Sequence, residues 1–142
     1  MARVRGSREL RAAIRRAPAE LRDEALQEVR RSTKNMYDDA IRRFATASAY
    51  APFEHGGAGM QSITGTVRRY YRWSVSKTRL SGRVGLLSTT AAKRAFYLRF
   101  FLDGTSHQPA RPIHDDAFEA ERDVYIANQK RTMDRVMRRL FP

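Results

Sequence analysis

Val67-Arg68-Arg69-Tyr70-Tyr71-Arg72-Trp73-Ser74-Val75-Ser76 decides the fold class. Val67, Tyr71, Trp73 and Val75 fall on one parity, with Arg68, Arg72, Ser74 and Ser76 on the other. Such alternation in a β-branched, aromatic segment is the signature of a strand with one face inward. Arg69 and Tyr70 interrupt it, so the segment carries a bulge or is a two-sided strand. Ser81-Gly82 reads as a turn, and Arg83 to Ser88, with Val84 and Leu86 in phase, as the partner strand. Ile63 to Thr66 begins the first strand or forms a short one before it.

On either side the period is helical. Ser7 caps a short helix with Leu10, Ile14 and Ala17 on one face, and Pro18 interrupts it. A longer helix is predicted from about 19 to about 46, with Glu20, Asp23 and Glu24 where the helix dipole favours acids. Leu21, Ala25, Val29, Met36, Ala40 and Phe44 form its apolar stripe, widened by Tyr37 and Ile41. A single kinked helix is the alternative. Ala51-Pro52 ends it, and Phe53 to Gly59 is a glycine-containing loop. Downstream, Phe96 with Phe100 and Tyr97 with Phe101 make i,i+4 pairs in a short aromatic helix over 91–102. Asp115 or Asp116 caps a last helix to about 139. Ala117, Val124, Met133, Val136, Met137 and Leu140 give it a patchy stripe, and the polar stretch 127–132 predicts that it leans on a neighbour. The expectation is one α+β domain over 1–142: helical at 7–47, a small antiparallel β-sheet of two to four strands within 62–88, packed by long N- and C-terminal helices.

Between the aromatic helix and the last one lies Asp103-Gly104-Thr105-Ser106-His107-Gln108-Pro109-Ala110-Arg111-Pro112. Asp-Gly permits a positive φ and a sharp turn. Each proline fixes its own φ, and Pro112 pushes Arg111 out of the helical region. A connection so constrained suits a docking surface better than a linker.

Composition bounds the function. The 142 residues are 42% apolar, ordinary for a folded domain. There is no cysteine, which removes disulfides, thiol catalysis and cysteine-ligated metal sites. No apolar run approaches a membrane span, and the basic N-terminus has no apolar signal segment after it, so neither membrane insertion nor export is expected. Twenty-eight Lys and Arg against fifteen Asp and Glu leave +13, a surface that attracts polyanions.

No catalytic, cofactor or metal site is expected. His107, His114 and Asp115 could be imagined as ligands, but there is no HExxH and no histidine pair at helical spacing. Gly56-Gly57-Ala58-Gly59 lacks the Gly-Lys-Ser/Thr ending of a phosphate loop. The interleaved arginines and aromatics of 67–73 keep a basic nucleic-acid-binding module open as the second reading. Against it, alternation places Tyr71 and Trp73 on the core face, and no helix-turn-helix, zinc-finger or RNA-motif signature is complete.

The ordered layout resembles the tail-completion, or head–tail joining, proteins of long-tailed phages, the minor tail protein Z type. The resemblance rests on an amphipathic helical start, Ala51-Pro52, the glycines of 56–59, Ser62-Ile63 opening a β segment, Tyr97, Gly104-Thr105, and Pro109-Ala110-Arg111-Pro112 before a final helix with Ala117. It covers nearly the whole chain. The acid that the family carries two residues before the glycine is shifted here to Asp103, and Ile113-His114 follows Pro112 where the family has an aromatic two residues on. The resemblance implies a non-catalytic virion structural protein, made in the host cytoplasm. It would act as a homo-oligomeric ring, six-fold by analogy, at the neck or the top of the tail. Its partners would be the tail-tube or tail-terminator protein and the head–neck connector, with packaged DNA within reach. Ring subunits use heterologous contacts that close by rotation. The expected interface residues are Gly104, Thr105, Pro109, Arg111 and Pro112, then His55 and Met60 in the 53–61 loop, Arg79 in the 77–82 loop, and Arg99.

Overall fold

A computed structural model of the chain describes residues 19–50, 67–104, 106 and 110–140, with the side chains of 47–50, 97, 100, 101 and 140 excepted. Six elements follow in order: α1 (Ala19–Tyr50), β1 (Arg72–Ser76), β2 (Ser81–Gly85), α2 (Thr89–Arg94), α3 (Tyr97–Asp103) and α4 (Ile113–Leu140). Two long helices pack against a small antiparallel sheet, the α+β arrangement expected. Among the described residues the sheet has two strands, and no helix is long and apolar enough to cross a membrane. The short helix beginning at Ser7, the β segment before Val67 and the 53–61 loop lie outside the described residues.

α1 forms where its stripe predicts. Leu21, Ala25, Val29, Ala40 and Phe44 are buried. In the gap between Val29 and Ala40 the inward side chains are Ser32 and Thr33, and the Thr33 hydroxyl is satisfied by donating to the Val29 carbonyl at 2.6 Å. These two small residues let the sheet come close. Gly82 of β2 lies so near α1 that a Cβ there would overlap Thr33 Oγ1 and stand 2.7 Å from Thr33 Cβ.

That approach corrects the hairpin reading. Ser81-Gly82 is not the turn; both residues are in β2, paired with Ser76 and Val75. The turn is Lys77–Leu80, and Leu80 adopts a φ of 48°. A leucine in the left-handed region is strained. Burial of its side chain against Ala25 and Leu26 of α1 offsets that cost. The partner strand is therefore Ser81–Gly85, and residues 86–88 lie beyond it.

The start of the β segment is also corrected. Residues 67–70 are helical, and the Tyr71 amide donates to the Val67 carbonyl at 2.9 Å. A spacing of four fits one face of a strand and one face of a helix alike. Val67 and Tyr71 are buried together as a helical pair, while Trp73 and Val75 are only half-buried.

The 91–102 helix is two pieces. α2 is capped by Ser88, whose hydroxyl accepts from the Ala91 amide at 3.0 Å, and the chain turns at Ala95-Phe96 before α3. Ala91, Ala95 and Leu98 face inward, whereas Phe96 is exposed. With Val67, Tyr71, Ile113 and Ala117, Ala95 and Leu98 close the core around Ala40 and Phe44.

α4 runs antiparallel to α1, as the pairs Gln129–Ala25 and Arg43–Asp116 require. It starts at Ile113, and the Pro112 carbonyl accepts from the Asp116 amide at 2.9 Å. Asp115 and Asp116 sit in the first turn rather than as caps. The seam on α1 is Ile113, Ala117, Tyr125, Gln129, Thr132 and Val136, so Val124 and Met137 of the expected stripe face outward. The polar middle does rest on its neighbour: Gln129 is buried and its amide donates to the Ala25 carbonyl at 3.3 Å and contacts the Tyr125 hydroxyl at 3.2 Å.

Candidate interaction surfaces

The joint between α3 and α4 has the tight geometry expected. Gly104 takes a φ of 78° directly after α3, a conformation that favours glycine. The chain then returns, and the Arg111 amide donates to the Leu102 carbonyl at 2.9 Å. Arg111 is non-helical and half-buried. With Ala110 and Pro112 it lines a shallow cleft whose other wall is Asp39, Arg42, Arg43 and Thr46 of α1, with Asp116 of α4 at the edge. Hydrogen bonding to Asp39 raises the Arg43 pKa further, so this guanidinium is permanently charged. Arg99 is at the same corner, exposed and paired with Asp103 at 3.2 Å.

Four of the expected interface residues, Arg99, Gly104, Arg111 and Pro112, thus share one end of the molecule. Arg79 does not join them. It sits in the hairpin turn, whose neighbour Leu80 packs on Ala25. The cleft lies some 17 residues further along α1, or about 25 Å of helix. Thr105, Pro109, His55 and Met60 lie outside the described residues. Asp39, Arg42 and Arg43 were not singled out by sequence reasoning, because nothing local marks them as facing Arg111.

A second feature concerns where the charge resides. α1 carries six Lys/Arg and six Asp/Glu, and α4 carries six and six. Both helices are formally neutral. Their charges also meet across the antiparallel seam: Arg139 with Glu24 at 3.2 Å, Arg31 with Glu121 at 3.4 Å, Arg43 with Asp116 at 3.6 Å and Arg135 with Glu24 at 3.7 Å. At one end of the seam the acids of the α1 start, Glu20 and Glu24, lie beside Arg135 and Arg139 of the α4 end, the order that both dipoles favour.

Between Glu54 and Asp103 the chain has no acidic residue, and it carries nine basic ones: Arg68, Arg69, Arg72, Lys77, Arg79, Arg83, Lys93, Arg94 and Arg99. All nine are exposed, and only Arg99 has a carboxylate partner among the described residues. This acid-free interval is the signal in the sequence that could have located the cationic face; a net charge of +13 summed over the whole chain conceals it.

The third feature is internal. A groove of about 370 Å³ runs between α1, the hairpin and α4, lined by Val29, Met36, Leu80, Val84, Tyr71 and His114 among others. The Tyr71 hydroxyl lies 2.8 Å from His114 Nδ1, and the two rings stack with centroids 5.4 Å apart. Phe44 meets Tyr71 edge-on at 5.4 Å. Burial raises the Tyr71 pKa and lowers that of His114, the latter against the opposing pull of Asp115 and Asp103. Both groups are therefore neutral near pH 7, and one proton serves their shared hydrogen bond. His114, weighed above as a metal ligand, is half-buried with its Nδ1 engaged by the Tyr71 hydroxyl. Among the described residues no group of three His, Cys, Asp or Glu could hold a metal ion.

Comparison with known protein families, curated proteins and solved structures finds no match to this chain.

Proposed function

We propose that the chain is a non-catalytic structural subunit of a phage or phage-like tail, assembling as a homo-oligomeric ring that completes the tail and joins it to the head. The observation that carries the reading is the α3–α4 joint. The Gly104 turn and the Arg111–Leu102 backbone bond hold Ala110, Arg111 and Pro112 beside α1, at the place in the chain order where the tail-completion pattern has its Ala-Arg-Pro. Arg111 lies at the mouth of a cleft that already contains Arg42, Arg43, Asp39 and Asp116, a mixed-charge rim of the kind that pairs with a neighbouring subunit. The outer side of α4 supports the same reading. Ile126 and Met137, eleven residues apart on one flank, are 54% and 45% exposed there, apolar surface that a neighbour in a ring would cover.

In this reading the ring contacts a tail-tube or terminator protein on one side and a neck connector on the other, and the mature location is the virion. Light scattering and electron microscopy of the purified chain test it: closed rings are expected, six-fold by analogy. Arg111→Ala is expected to melt within a few degrees of the parent and to leave heads and tails unjoined when it replaces the parent during particle assembly. A chain that stays monomeric at all concentrations, or an Arg111→Ala variant that yields joined particles normally, overturns the assignment.

A further inference from the structure

We propose that the outward face of the β1–β2 hairpin is a phosphate-gripping surface that takes the backbone of a nucleic acid without regard to sequence.

The register defines that face. Arg72, Ser74 and Ser76 of β1 share it with their partners Gly85, Arg83 and Ser81 of β2. The opposite face carries Trp73, Val75, Gly82 and Val84 and is turned to α1, as the contact of Gly82 with Thr33 and the packing of Val84 on the core require. The outward face thus has two guanidinium groups and three hydroxyls, with Gly85 at its buried end, and neither a carboxylate nor an apolar side chain. Every oxygen of a phosphodiester outside its ester links is an acceptor, and Arg and Ser donors are the ordinary partners of such oxygens.

Two further observations favour this occupant. Arg72 is braced: its Nη1 donates to the Arg68 and Tyr71 carbonyls, each at 2.9 Å, so its remaining N–H groups are held in a fixed direction without a protein partner among the described residues. Arg72 and Arg83 are diagonal neighbours on the paired strands, Arg83 lying two residues from the Gly85 that pairs with Arg72, which sets them about 7–8 Å apart, close to the separation of successive phosphates along one nucleic-acid strand. The surroundings extend the field. Arg68 and Arg69 precede the hairpin, Lys77 and Arg79 sit in its turn, and no acid occurs from 55 to 102 to screen them.

An acidic protein surface would use the same charges, but the face lacks the apolar centre on which a protein interface is built. A polyanion recognised by its backbone fits better. The absence of a helix or long side chain arranged to reach base edges predicts no sequence preference. The inference does not depend on the ring reading, because a single subunit carries the whole face.

The test uses the full chain and fluorescence anisotropy of a labelled 20-base-pair DNA duplex over a series of salt concentrations. Binding is expected, weakening steeply with salt. In Arg72→Ala/Arg83→Ala the slope of log K against log salt should become shallower by about two, since each phosphate contact contributes about 0.9, and affinity near 0.1 M salt should fall at least tenfold. The control, Arg30→Ala/Arg131→Ala, removes the same charge from exposed positions on α1 and α4 and should stay within about twofold of the parent. Equal losses from both pairs overturn the proposal, because net charge alone would then explain binding. No binding at about 50 mM salt overturns it, and so does polyglutamate competing as well as unlabelled duplex. Light scattering on the same samples separates the two readings: DNA binding by a chain that never forms rings breaks the ring proposal and leaves this one standing.

Discussion

The two long helices and the hairpin treat charge in opposite ways. On α1 and α4 cations and carboxylates match in number, six against six on either helix, and Arg31, Lys34, Arg42, Arg43, Arg122, Arg135 and Arg139 are paired within the same helix or across the seam. On the hairpin and the helical turn leading into it, six cations stand with none. Exposed ion pairs of the helical kind are worth about 0–1 kcal/mol each, so the matching adds little stability. It cancels the long-range field of the helical pair and leaves the net positive charge elsewhere in the chain, including the hairpin.

The two regions are joined at several places, and two of the joints are where the comparison can be broken. Phe44 is the larger. It is fully buried on α1 and meets Tyr71 at the root of the hairpin and His114 at the start of α4. Phe44→Ala is expected to destabilise the fold by about 3–5 kcal/mol, the range for losing a core phenyl group. In urea denaturation this should appear as a large drop in midpoint with hairpin and helices unfolding together. Separate transitions for the two would show them to be independent units.

Gly82 is the second joint. Gly82→Ala places a methyl group against the buried Thr33, whose hydroxyl is committed to Val29. The expected cost is about 1–3 kcal/mol from overpacking, and the double variant Gly82→Ala/Thr33→Ser should not recover it, because the overlap includes Thr33 Oγ1 and Cβ, which serine keeps. Thermal melting of the two variants measures this. A neutral Gly82→Ala would mean that hairpin and α1 are not held at this separation.

The smallest effect is a pH step at the Tyr71–His114 contact. The folded state lowers the His114 pKa below its ordinary value of 6.5, chiefly through burial. Above that value the histidine is neutral both folded and unfolded, and the contribution is fully present. As pH falls below it the unfolded chain takes up the proton first, and stability is lost down to the folded pKa. The denaturation midpoint should therefore decline as pH falls below about 6.5, and the decline should be shallower in His114→Asn. Asp115 and Asp103 limit the step, since both favour the charged ring.

Several elements are legible in the sequence because their information is local. The α1 stripe from Leu21 to Phe44 needs only a 3.6-residue period, and the Gly104 turn needs only a residue free to take a positive φ. Three readings failed for one shared reason: the deciding partner is distant in sequence. Val67 and Tyr71 satisfy two periods at once, and packing with Leu98 and Phe44 selects the helical one. Ser81-Gly82 has turn composition, yet Gly82 is small because Thr33 faces it and Leu80 bends because Ala25 and Leu26 receive it. The α4 seam passes through Gln129 and Thr132 rather than Val124 and Met137, since its orientation is set by what α1 offers, a backbone carbonyl at Ala25 included.

By itself, then, the sequence determined the class of most elements, the break between helical and alternating periods, the turn at Gly104, and the total charge. Tertiary structure decided the face each element buries, the place of the hairpin turn, and the placing of Arg111 in one cleft with Arg42 and Arg43. The physical reason is range. Period, φ preference and composition act within a few residues, whereas burial and ion pairing depend on which surfaces meet. Here those surfaces lie up to 119 residues apart, as between Glu20 and Arg139.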